Sequence, residues 1–126
     1  MEDRILFEDN HLLFVNKKPG ELVQGDITGD YTLEDRIKYY IKTKYNKPGS
    51  IYLGVVHRLD RPTSGVLVFA KTSKAANRLS KQFKTRNIRK KYWALVSKEF
   101  PNRNGSLTNW MSRNKRRRLY SNNFRI

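Results

Sequence analysis

The residue types best suited to chemistry in this 126-residue chain gather in one stretch, His57-Arg58-Leu59-Asp60-Arg61-Pro62-Thr63-Ser64-Gly65. Asp60 is the sole acid between Asp35 and Glu99, an interval otherwise rich in lysine and arginine. An apolar run from Ile51 to Val56 precedes it and a second, Val66 to Ala70, follows, with Pro62 and Gly65 between them. That pattern reads as strand, tight loop, strand, so the carboxylate sits at a strand end, where loops carry chemistry. Spacing alone leaves two readings open: a carboxylate placed for function, or one that caps the turn or pairs with Arg58 or Arg61. A carboxylate-dependent nuclease or glycosidase would need a second acid or a metal cluster, which the motif lacks. His11 and His57 are the two histidines, and neither has another ligand at metal spacing, so no metal site is expected.

The elements that must position this loop can be read from local patterns. Arg4 to Glu8 and Leu12 to Asn16 read as two strands joined at Asp9-Asn10-His11, most simply a hairpin. Lys17-Lys18-Pro19-Gly20 breaks the pattern. Thr32 with Asp35 three residues on is a helix start, and Leu33, Ile37, Tyr40 and Ile41 fall on one face of a helix running to about Tyr45. Thr72 or Ser73 caps a second helix, with Ala76, Leu79 and Phe83 inward and Lys74, Lys81 and Lys84 in water. From Ile88 to Val96 the period changes to two, predicting a strand on which Tyr92 and Trp93 face opposite ways. Asn104-Gly105 signals a turn before a further strand from Ser106 to Met111. Residues 113–126, with Lys115-Arg116-Arg117-Arg118, read as a basic tail or as a strand torn from its neighbours.

Size and charge bound the answer. One domain with a modest core is expected at this length, and 37% hydrophobic residues are compatible with folding. The net charge of +16 predicts attraction to a polyanion, most simply nucleic acid. The excess is uneven, with residues 1–85 carrying 15 Lys+Arg against 10 Asp+Glu and residues 86–126 carrying 12 against 1. No stretch has the length of a spanning helix and no basic helix has a broad apolar face, so a membrane partner is not expected. The absence of cysteine suits a reducing cytoplasm, and Met1-Glu2-Asp3-Arg4 lacks the apolar core of a signal peptide.

The motifs carry a resemblance. His57-Arg58-Leu59-Asp60 with Pro62-Thr63-Ser64-Gly65, then Arg89-Lys90-Lys91-Tyr92-Trp93-Ala94, with Asn16-Lys17-Lys18-Pro19-Gly20 upstream, resembles the RluA family of RNA pseudouridine synthases over residues 5 to 112. The resemblance implies an α+β fold, a mixed, mainly antiparallel sheet flanked by helices. It also implies isomerisation of a uridine in ribosomal or transfer RNA without cofactor or metal. Asp60 matches the catalytic aspartate, acting as nucleophile or base, and Tyr92 the tyrosine that packs on the target uracil. Arg58 matches the arginine that holds the displaced nucleotide. His57, Arg61, Lys18, Lys90 and Lys91 complete the expected RNA-binding rim.

A motif of the kind Gly-Arg-x-His-Gln-Ile-Arg, whose last arginine pairs with the family's aspartate, has no counterpart here. The chain is therefore expected to be the N-terminal portion of a catalytic domain, without the S4 RNA-binding domain found in many relatives. The alternative from another class is a basic RNA-binding fragment that does not catalyse. Oligomeric state and target uridine are left open.

Overall fold

The computed structural model describes residues 1–25, 27, 29–99, 104–106 and 108, together with the backbone of two short strands further on. Residues Met1–Lys90 form one compact unit and Lys91–Ile126 another.

In the first unit the hairpin forms where the alternation placed it, as β1 (Ile5–Glu8) and β2 (Leu12–Lys17). The Asp9 carboxylate closes its turn, accepting the backbone N–H groups of His11 and Leu12 at 2.7 and 2.6 Å. Helix α1 (Leu33–Lys44) starts at a capping box: the Thr32 side chain accepts the Asp35 N–H, and the Asp35 side chain accepts the Thr32 N–H. β3 is only Gly54–Val55, β4 is Gly65–Ala70, and helix α2 (Ser73–Lys84) is capped by Thr72. The sheet order is β1-β2-β4-β3, and every pairing between the described strands is antiparallel. The expected α+β class and mainly antiparallel sheet are thus observed.

Strand parity divides the core. Leu13 and Val15 of β2 and Leu67 and Phe69 of β4 point to one face and are fully buried against Leu33, Ile37 and Ile41 of α1. The other face of β4 lies under α2, whose Ala75 is its buried residue, with Ala76, Leu79 and Phe83 half-buried. Here Gly54 is required by close approach, because a Cβ on it would stand 2.8 Å from the Ala76 Cβ and 3.2 Å from the Ala70 Cβ.

Two expectations need correction. The strand foreseen over Ile51 to Val56 is confined to Gly54–Val55, and past Val55 the Val68 N–H, next in the ladder, donates to Nε2 of His57 at 3.0 Å instead of to a strand carbonyl. The strand foreseen over Ile88 to Val96 does not form; Tyr92, Trp93, Leu95 and Val96 are exposed in irregular backbone. Alternation favours a strand only where a neighbour supplies the ladder, and no described strand pairs with this segment. In the second unit the strand expected from Ser106 to Met111 falls mostly outside the described residues; the strand described there is β5 (Met111–Arg113), which pairs antiparallel with β6 (Leu119–Ser121) within the stretch read as a basic tail. The Lys115–Arg118 run lies outside the described residues. No helix among the described residues is long and apolar enough to cross a membrane.

Candidate active site

The loop between β3 and β4 is fixed from beneath by a side chain that motif reading passed over. Lys17, the last residue of β2, is fully buried. Its Nζ donates to the carbonyl oxygens of Lys18, Asp60, Arg61 and Thr63 at 3.1, 3.1, 3.0 and 2.6 Å. Burial draws the Lys17 pKa down, the negative charge of Glu21 opposes it, Arg4 adds to it, and Asp60 opposes it in turn. A buried ammonium is tolerated where its hydrogens are all accepted, and four carbonyls do that here. The cation thereby gathers the backbone of the Asp60 loop around one point. A signal for it existed: Lys17 shares parity with the buried Leu13 and Val15, a charged residue on the inward face of a strand.

A second set of contacts joins the same two segments. The Gly20 N–H donates to the Arg61 carbonyl at 2.8 Å, and the Arg61 Nε donates back to the Gly20 carbonyl at 3.0 Å. Gly20 has φ +85°, a left-handed conformation that suits glycine. The Arg61 guanidinium also pairs with Asp30 at 3.0 Å. Arg61 is therefore engaged in tying the 20–30 segment to the loop. Below the loop, Leu59 packs against the core and lies 3.6 Å from where a Gly65 Cβ would be, with Gly65 at φ +140°.

Asp60 itself is exposed. Its backbone carbonyl accepts from Lys17 and from the Thr63 N–H at 3.0 Å, closing the turn. Its carboxylate enters no ion pair with Arg58 or Arg61 among the described residues, so neither pairing considered from the sequence is present. Arg58 is exposed and likewise forms no ion pair. The loop therefore offers an open carboxylate two residues from an open guanidinium.

His57 is built into the scaffold. Its ring stacks on Phe83 of α2 with centroids 4.7 Å apart, and its Nε2 accepts the Val68 N–H, which puts the ring proton on Nδ1. Burial pulls its pKa down and the positive charge of Lys90 adds to that. Lys18 is exposed, with its backbone N–H given to Glu21 at 3.0 Å. Lys90 is exposed in the same unit as Asp60, whereas Lys91 and Tyr92, also exposed, belong to the second unit. The structure thus joins Asp60, Arg61, Lys17 and Gly20 directly, carries Arg58 and His57 on the same loop, and leaves Tyr92 without a strand to aim it.

Comparison with known proteins points to one family. The model of the RNA pseudouridylate synthase family matches residues 11–125. The chain is 35% identical to ribosomal large subunit pseudouridine synthase C of Vibrio vulnificus over 102 residues, 81% of this chain and 30% of that protein. It is 36% identical to ribosomal large subunit pseudouridine synthase D of Borreliella burgdorferi over 118 residues, 90% of this chain and 36% of that protein. The structure of human RNA pseudouridylate synthase domain containing 4 superposes with a TM-score of 0.58 at 29% identity, over 68% of this chain and 31% of that one. The chain belongs to the RNA pseudouridylate synthase family. It spans about a third of the length of these curated relatives.

Proposed function

We propose that this chain carries the aspartate-bearing part of an enzyme that isomerises uridine to pseudouridine in RNA, with Asp60 as nucleophile or base. The observation that carries the reading is the division of labour at Asp60: its backbone is held by a buried cation while its carboxylate stays open to a substrate. The reaction breaks the N1–C1′ bond, turns the uracil and forms C5–C1′, so the C5 hydrogen leaves and N1 gains a proton. Departure of uracil leaves positive character at C1′, which a positioned carboxylate stabilises or bonds. Arg58, open and planar, suits stacking on a displaced base or contact with its phosphate. Tyr92 is assigned to the uracil, with proton transfer from C5 as its chemical task. Lys18, Lys90 and Lys91 are each assigned to contact with RNA phosphates, and His57 and Arg61 serve the RNA by shaping the loop. The target base must leave its stack to expose the glycosidic bond. The names of the bacterial relatives, both ribosomal large subunit synthases, favour ribosomal over transfer RNA as the substrate.

The experiment incubates the 126-residue chain with ribosomal RNA lacking its modifications, digests the RNA to nucleosides and separates pseudouridine from uridine. Pseudouridine formation that vanishes in Asp60→Ala is expected; formation that survives the substitution would overturn the assignment. A second reading, an RNA-binding fragment without turnover, is favoured by one observation, the exposed and irregular setting of Tyr92. Binding without pseudouridine would support it.

A further inference from the structure

The two helices have equal lengths but differ in charge pattern. Helix α1 carries Glu34 and Asp35 in its first turn, and Lys38 pairs with Glu34 at 2.6 Å one turn on. Helix α2 contains no acid: its charged residues are Lys74, Arg78, Lys81 and Lys84, all exposed, and none forms an ion pair among the described residues. Lys74, Arg78 and Lys81 stand at i, i+4 and i+7, so they line one stripe, and like charges at that spacing repel one another. The chain continues the series with Arg86, which takes the left-handed position after the helix at φ 57°, where glycine would be unstrained. A stripe of mutually repelling cations is relieved by an anion lying along it.

We propose that the exposed face of α2, from Lys74 through Arg78 and Lys81 to Lys84, is a docking surface for the sugar–phosphate backbone of RNA, separate from the Asp60 loop. The proposal rests on the RNA-modifying reading above and extends it to where the flank of the substrate lies. Several observations favour a phosphate backbone. The other exposed residues of the helix are Ser73, Asn77, Ser80 and Gln82, hydrogen-bonding groups with no apolar side chain to enter a bilayer. At 1.5 Å per residue the cations extend over about 15 Å, room for several consecutive phosphates. The surface is also fastened to the catalytic loop. Phe83 on the inner side of α2 stacks on His57, and Ala76 abuts Gly54 of β3, so RNA held on the stripe is held in fixed relation to the segment that presents Asp60.

The test titrates a fluorescent uridine-containing RNA stem-loop with the 126-residue chain across a potassium chloride series. Three proteins are compared: the unaltered chain, the triple variant Lys74→Gln/Arg78→Gln/Lys81→Gln, and a control with the same charge removed from α1 and its C-terminal turn, Arg36→Gln/Lys42→Gln/Lys47→Gln. Each lost phosphate contact removes roughly 0.7 to 0.9 from the slope of log affinity against log salt. The α2 variant is expected to lose about two units of slope and to bind about tenfold more weakly at moderate salt, the control much less. Equal losses in the two variants would mean a diffuse field and would overturn the proposal, as would unchanged binding of the α2 variant or no binding by the unaltered chain. Anionic phosphatidylserine vesicles form a parallel arm; a loss confined to vesicles would assign the stripe to a membrane and overturn it. Asp60→Asn in the same assay separates the two readings, since it removes isomerisation and leaves the salt slope unchanged.

Discussion

Lys17 and Asp60 meet through the backbone: the Lys17 Nζ donates to the Asp60 carbonyl at 3.1 Å, while Asp60 is exposed and its carboxylate forms no ion pair among the described residues. A direct ion pair would spend the carboxylate on the scaffold. By holding the peptide oxygen, and those of Arg61 and Thr63 with it, the ammonium fixes where the acid stands and leaves its oxygens available.

Replacing this cation should therefore damage the loop before it touches any reacting atom. Lys17→Met keeps much of the volume and strands four buried-side carbonyls without a donor. The expected cost is about 3 kcal/mol of stability, read as a lowered urea midpoint. Amide exchange at Thr63, whose N–H closes the turn on Asp60, should accelerate in the same variant. An unchanged midpoint would mean that the loop holds itself.

A second node, at the other end of β1, predicts a pH dependence. Glu8 accepts from Lys71 and Tyr45 at 2.7 Å each and from Lys44 and Tyr40 at 2.9 Å each. Burial pushes its carboxyl up, but the four hydrogen bonds outweigh burial and bring it down to about 2 from 4.5. The folded state therefore favours the ionised form, so the contribution is complete above the unfolded value and is lost as pH falls towards about 2. Its size is of the order of 3 kcal/mol. Glu8→Gln should lower stability at neutral pH by a comparable amount, and its difference from the unaltered chain should shrink as the solution is acidified below pH 4.5. A difference that does not change with pH would contradict the network.

The seam between β3 and α2 makes a third prediction. Gly54→Ala places a methyl 2.8 Å from the Ala76 Cβ, so the helix must move, at a cost of about 1–3 kcal/mol. Ala76→Gly in the same background relieves that contact. Recovery of part of the loss in the double variant, beyond the sum of the single effects, would be the sign of direct contact. Additive losses would place the effect elsewhere.

Much of this fold was legible because its signals are local. The Thr32–Asp35 box, the Asp9 turn and the alternation in β1 and β2 each fit within a few residues, and each element formed where those residues placed it. What escaped depends on distant partners. Lys17 reads as part of a polar break until its parity with Leu13 and Val15 is noticed, and three of its four carbonyl partners lie more than forty residues away. Past the end of β3 a histidine side chain takes a ladder hydrogen bond, which no periodicity encodes. The segment around Tyr92 alternates as a strand should, yet no described strand pairs with it. At the candidate site, the Asp60 motif marked the loop, but only the three-dimensional contacts separate Arg61 and His57, which are tied into the scaffold, from Arg58, which is open.

The central claim is that the open carboxylate of Asp60 carries the isomerisation, and tritium release tests it most directly, because the C5 hydrogen must leave when the new bond forms. Ribosomal RNA labelled with tritium at uridine C5 would be incubated with an excess of the 126-residue chain and, in parallel, with Asp60→Asn, RNA binding being measured for both. Release by the unaltered chain and none by Asp60→Asn, with similar RNA affinity, is the predicted result. Release by both, or by neither while both bind RNA, would contradict it.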